Sequence, residues 1–248
     1  MAYSKNRWNK QDAAVGHDKR VAYKMERIED GVSDAHATLR FATCVDGEFR
    51  CGESTGSYCS LSSSGFVTLA GDARAWEDLR FDANALKAAG VKDPAYSTVL
   101  GTLRGYTFSP TTQEELYFAV QMPHSWSGEA IHPHVHWFTA TASTNVTCRW
   151  GLEYAWADIG STFSAPTTIY ASTVSPVTTI IESKKHYVTS FSSLVPSTNQ
   201  DGFSAMLLCR LFRDSTVAAD TFDQNANLLE FDIHYSVKRL GTKTEFDG

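Results

Sequence analysis

The sequence predicts an all-β fold: an antiparallel, jelly-roll-like β-sandwich with an extended N-terminal arm and one or two short helices. Three observations carry this expectation. Apolar residues recur at period two in several separate segments, the pattern of strands with one face buried. Aromatic residues make up 12% of the 248 positions, a composition that suits pleated surfaces. Strand-like runs outnumber helical ones and are separated by loops of varied length, which favours Greek-key or jelly-roll connections over a repeating βαβ unit.

The totals set the frame. A hydrophobic content of 42% with 20% charged residues describes an ordinary globular chain, long enough for a sizeable core. One domain plus an arm is expected, with residues 1–65 as arm and turn-rich linker and residues 66–248 as the sandwich. The formal net charge of −6 offers no footprint for phosphate, so nucleic acid is not expected as a partner. No apolar stretch has the length of a secretion leader's core or a membrane span, so neither is expected.

Residues 1–40 mix Lys5, Arg7, Lys10, Lys19, Arg20, Lys24 and Arg27 with acids and few large apolar side chains. Such a stretch cannot build a core and must pack on the main domain or on a neighbouring subunit. The Gly- and Ser-rich segment from Cys44 to Ser64 reads as loop and turn. Beyond Phe66-Val67-Thr68-Leu69, the stretch from Asp72 to Phe81 fits either a capped helix or an extended crossing strand. Asn84 to Gly90 is the better helical turn, closed by a glycine.

The clear strands follow. Leu116, Phe118, Val120 and Met122 alternate with polar residues, and so do Ile131, Val135 and Trp137, then Trp150, Leu152, Tyr154 and Trp156. The run from Ala205 to Phe212 is apolar on both faces, as in a strand covered on each side. Leu229, Phe231, Ile233 and Tyr235 form the last alternating set, opposite Glu230, Asp232 and His234. The segments Ser161 to Thr168 and Thr173 to Thr179 suit long loops or edge strands.

The sharpest local motif is His132-Pro133-His134-Val135-His136-Trp137, because period-two spacing sets three imidazoles on one strand face. His132, His134 and His136, joined by His234, are candidate ligands for zinc, iron or manganese, with Glu153 and Asp232 as carboxylates on other strands. The Gly-rich spacing of a cupin signature does not map onto the chain. The preferred reading therefore has no bound metal or cofactor. Ile131, Val135 and Trp137 face the core, while the histidines line a subunit interface or join a hydrogen-bonded network with Glu153, Asp232 and His234.

Other chemistry is weaker. There is no Gly-x-Ser-x-Gly elbow, and the carboxylates Asp72, Glu77 and Asp78 read as a cap or a solvated face, not a glycosidase pair. Arg210 and Arg213, near Asp214 and Asp220, suggest a buried Arg–carboxylate pair, with Asp232 as a further candidate acid. Asn145-Val146-Thr147 matches a glycosylation sequon but has no secretory context. The spacing of Cys44, Cys51 and Cys59 argues against a zinc knuckle. Free thiols are the preferred state, and a disulfide among the three is the alternative in an oxidising environment. Cys148 and Cys209 read as small core residues.

Several segments recur together in the order of a known family: Gly71-Asp72-Ala73 with Trp76-Glu77-Asp78-Leu79-Arg80, Gln121-Met122-Pro123-His124, His132 to Trp137, Trp150 with Leu152-Glu153-Tyr154, and Phe231-Asp232-Ile233-His234-Tyr235. From Gly71 to Gly241 the chain resembles structural proteins of tailed bacteriophages and prophages. The resemblance implies a virion component assembled in the bacterial cytoplasm, not an enzyme, and supplies no catalytic residue. The resulting expectation is a homotrimer that mounts on the capsid as a decoration or cement protein, its partners being its own copies and other virion proteins such as the major capsid protein. A tail fibre, collar or receptor-binding subunit is the first alternative. A cupin-like metal enzyme using His134 and His136 is the second.

Overall fold

Alternating apolar and polar residues become strand throughout the computed structural model, which describes residues 42–45, 48–52, 56–194, 204–242 and 245. The expected arm, residues 1–40, lies outside the described residues. The chain divides into two compact units, Met1–Ala73 and Arg74–Gly248.

In the first unit, β1 (Ala42–Val45), β2 (Glu48–Gly52), β3 (Tyr58–Leu61) and β4 (Val67–Ala70) form a four-stranded antiparallel sheet in sequence order. The segment expected to be loop is therefore largely a meander, and the first compact unit runs on to Ala73, past the residue 65 at which the arm and linker are expected to end. The glycines do mark turns: Gly52 adopts φ of +123°, and a Cβ there would sit 2.7 Å from the Ser57 carbonyl oxygen. The Ser60 hydroxyl donates to Glu48 at 2.7 Å, and the Arg50 guanidinium donates to the same carboxylate at 2.8 and 2.9 Å.

The second unit is an antiparallel β-sandwich. Its strands are β5 (Ala75–Asp82), β6 (Ala95–Leu100), β7 (Leu103–Phe108), β8 (Glu114–Gln121), β9 (His132–Phe138), β10 (Ser143–Thr144), β11 (Trp150–Ala157), β12 (Thr167–Ala171), β13 (Val174–Ser175), β14 (Ile180–Ile181), β15 (Tyr187–Ser190), β16 (Met206–Arg213) and β17 (Ala226–Val237). One sheet has the order β12-β11-β16-β8. The other large sheet runs β13-β15-β9-β17-β7-β6, with β5 also paired to β17, and β10 pairs with β14 in a separate two-stranded sheet. The chain crosses repeatedly from sheet to sheet, so β16 returns to lie between β8 and β11, and β17 lies beside β9.

The helical expectations shrink to two 3₁₀ turns, Gly71–Ala73 and Ala83–Ala85. Asp72 to Phe81 resolves as strand over most of its length, because Leu79 and Phe81 alternate inward at period two while Asp78 and Arg80 point to solvent. After Ala85 the chain extends, and Lys87 pairs with Tyr117, which removes the expected turn ending at Gly90.

The inner faces of the two sheets meet through large side chains. Phe108 packs edge-on to Trp150 at 5.0 Å, Phe118 lies 4.7 Å from Phe231, and Trp137 lies 5.6 Å from Phe222. Trp137, Trp150, Leu116, Val135, Leu211, Phe231 and Ile233 are fully buried. Burying each such side chain stabilises the fold by about 1.5–3 kcal/mol before entropy is counted. The Trp137 indole N–H donates to the Thr189 hydroxyl at 3.0 Å, so its polar atom is satisfied inside the core.

Two readings of burial need correction. β16 is not covered on both sides: Leu208 is exposed, and Phe212 is buried on the outer face by lying across Gly151. On β17 a register shift between Leu228 and Glu230 places Leu228 opposite Trp137 in the core and leaves Leu229 exposed.

Candidate functional site

The three histidines of β9 lie on the face opposite the core, and strand register determines what they meet. On β17, His234 stands opposite His132, Asp232 opposite His134, and Glu230 opposite His136. On the other edge of β17, β5 sets Asp78 opposite His234, Arg80 opposite Asp232, and Asp82 opposite Glu230. Three antiparallel strands thus assemble a polar patch in which each row contains at least one imidazole or carboxylate. Leu229 and His186 complete the lining of a shallow depression over it.

Asp232 is the centre of the patch, with its side chain only 4% exposed. Its Oδ1 lies 3.5 Å from His134 Nδ1 and 3.2 Å from His136 Nε2, while Oδ2 lies 3.1 Å from His234 Nε2. The same His234 nitrogen is 3.1 Å from Asp78 Oδ1. Arg80, although opposite Asp232 in register, reaches diagonally to Glu230 and donates to both carboxylate oxygens at 2.7 and 2.6 Å. Asp232 is thereby left to the histidines.

Burial works against the charge on Asp232, but His134 and His136 outweigh it and hold the carboxyl well below the usual carboxylate range. The contact with Asp232 raises the His136 pKa against the opposing effect of burial. Burial lowers His132, helped by the charges of His134 and His234, and it also lowers His186 beside His136. One ring nitrogen of the His136–His186 pair donates to the other across 2.9 Å, and the rings are stacked 5.1 Å apart.

Among the expected site residues, the structure brings together His132, His134, His136, Asp232 and His234. Glu153 is elsewhere, on the outer face of the other sheet, where Arg210 donates to it and to Glu115 at 2.6 Å each. Arg210 therefore belongs to a carboxylate ladder separate from the histidines, and Asp232 is not part of an Arg–carboxylate pair. The buried pair is Arg213 with Asp220, held by two hydrogen bonds of 2.9 and 3.0 Å, both side chains almost wholly buried.

Two participants were not legible. His186 follows two lysines in a connection and shows no periodic signal. Asp78 sits in sequence with the carboxylates Asp72 and Glu77, yet alternation on β5 sends Glu77 to accept a hydrogen bond from the Tyr235 hydroxyl while Asp78 joins the histidine face.

Cys51 and Cys59 stand directly opposite each other on β2 and β3 as free thiols. Cys44 is on β1, where the side chains lie outside the described residues. Cys148 and Cys209 are buried, which pushes the Cys148 thiol far above the ordinary thiol range and that of Cys209 up to about 12, and makes both poor nucleophiles. No helix among the described residues is long and apolar enough to cross a membrane.

Fold and site together define the class: an antiparallel β-sandwich carrying a histidine–carboxylate patch on the outer face of one sheet. No known protein-family model matches the chain, and comparison with curated proteins likewise gives no match.

Proposed function

We propose that the protein is a non-enzymatic structural component of a tailed-bacteriophage virion, a homotrimeric decoration subunit that stabilises the capsid by adhesion. The observation that supports this reading is the placement of the segments behind the resemblance. Trp76 to Arg80, Phe231 to Tyr235 and His132 to Trp137 fall on β5, β17 and β9, three strands adjacent in one sheet. Leu152 to Tyr154 falls on β11 of the facing sheet. Segments far apart in sequence converge on one framework, as expected when a shared fold underlies the resemblance.

Adhesion requires surface, not chemistry. Trp76, Tyr96, Leu103, Ile159 and Leu240 are large apolar side chains exposed on the second unit. In a symmetric assembly each modest contact is repeated, so avidity multiplies it. The alternative within the same class is a tail fibre, collar or receptor-binding subunit.

Quantitative mass spectrometry of purified particles whose genome encodes the chain tests the proposal. Hundreds of copies per particle are expected for a decoration protein, and a dozen or fewer would move it to the tail. Its absence from intact particles would overturn the virion reading. Light scattering on the purified chain is expected to give three times the monomer mass.

A further inference from the structure

We propose that His134, Asp232 and His234 form a binding site for a divalent transition-metal ion, with Zn²⁺ as the best chemical fit. The inference is independent of the virion reading, since it rests only on the patch between β9 and β17.

Four observations carry it. One ligand atom from each of the three residues lies within 4.8 Å of the others. Two imidazole nitrogens and a carboxylate oxygen form a donor set suited to zinc and its neighbours, with the remaining position open to water. Each histidine also stands at about a ligand-to-ligand distance from one oxygen of Asp232. Ligands bound at roughly 2.0–2.1 Å in a tetrahedron stand about 3.3 Å apart. The observed separations are 3.5 Å from His134 Nδ1 to Asp232 Oδ1 and 3.1 Å from His234 Nε2 to Asp232 Oδ2.

The fourth observation points to a ligand directly. His134 Nδ1, His136 Nε2 and Asp232 Oδ1 are buried and none of them meets hydrogen-bond geometry, although both rings face the same carboxylate oxygen at 3.5 and 3.2 Å. Leaving such groups unsatisfied is costly, and a cation coordinated by His134 and Asp232 would satisfy that pair together. Asp232 is almost fully buried, whereas His234 is 41% exposed, so the site has a rigid floor and an accessible side for the ion. Asp78, whose carboxylate approaches the same nitrogen of His234, offers an additional oxygen donor. His136 approaches the same carboxylate oxygen as His134, at 3.2 Å, and helps to orient the Asp232 carboxylate.

The test uses the full chain without an affinity tag, stripped with a chelator and titrated with ZnCl₂ by calorimetry. Co²⁺ absorption serves as a readout of coordination geometry. One Zn²⁺ per chain is expected, along with a tetrahedral or five-coordinate Co²⁺ spectrum. His134→Ala and His234→Ala are each expected to weaken binding by at least about tenfold. The half-exposed His234 ring makes its variant the safer one for folding, which circular dichroism would verify. Three outcomes would overturn the proposal: no saturable binding, binding unchanged in the folded His234→Ala variant, or binding lost only in a Cys51→Ser/Cys59→Ser variant.

Discussion

Arg213 shows how much one side chain can hold in place. Its guanidinium is wholly buried, pairs with Asp220, and donates to the backbone carbonyls of Gln224 and Phe222, tying the loop after β16 to the core. Arg213→Ala would leave Asp220 buried without its cation, so a loss of about 3–5 kcal/mol is expected in urea denaturation. Glu115 makes a different prediction. Burial raises its pKa, but the Tyr117 hydroxyl and Arg210 outweigh that effect and hold it below the ordinary glutamate value. A depressed folded-state pKa contributes stability above the unfolded value of about 4.3 and loses it as pH falls through the folded one. The stability gap between the wild type and Glu115→Gln should therefore be full at neutral pH and shrink on acidification below about pH 4. A gap independent of pH would contradict the ion-pair account.

At the scale of the element, β11 and β16 are matched through one glycine. Gly151 stands opposite Phe212, and a Cβ on Gly151 would sit 2.1 Å from that ring. The ring is held there by Arg210 above it at 4.4 Å and Tyr170 edge-on at 6.0 Å. Gly151→Ala would force the ring out and cost about 1–3 kcal/mol. Most of that loss should disappear in a Phe212→Leu background, and a double-mutant cycle on thermal unfolding would measure the coupling. Without such coupling, the close approach is not what requires glycine at position 151.

The whole molecule divides its labour between faces. The interior of the sandwich is apolar and aromatic, one outer face carries the histidine–aspartate patch, and the facing sheet carries the Arg210 ladder. If adhesion is the function, removing residues 1–40 should abolish particle attachment while the circular dichroism and melting of the remaining chain stay β-type and cooperative. Retained attachment would exclude the segment as the anchoring element. The meander of residues 42–70 makes a finer comparison possible, since a deletion ending at residue 73 removes that sheet as well.

Period-two alternation by itself determined the all-β class, the core face of β9, and the imidazole row of His132, His134 and His136, because a strand's two faces are written directly in its sequence. It also marked Asp232 and His234 as polar positions on a strand. It could not place Glu153, because alternation tells which side of a strand a residue occupies but not which sheet that strand joins. It misjudged Leu229 because a one-residue bulge reverses the phase, and such a bulge appears only when β17 is paired with β9. Only the tertiary structure brought Asp78 and His186 to the histidines and closed His134, Asp232 and His234 into a cluster. Register between strands distant in sequence is set by the packing of both sheets together, and no local pattern encodes it.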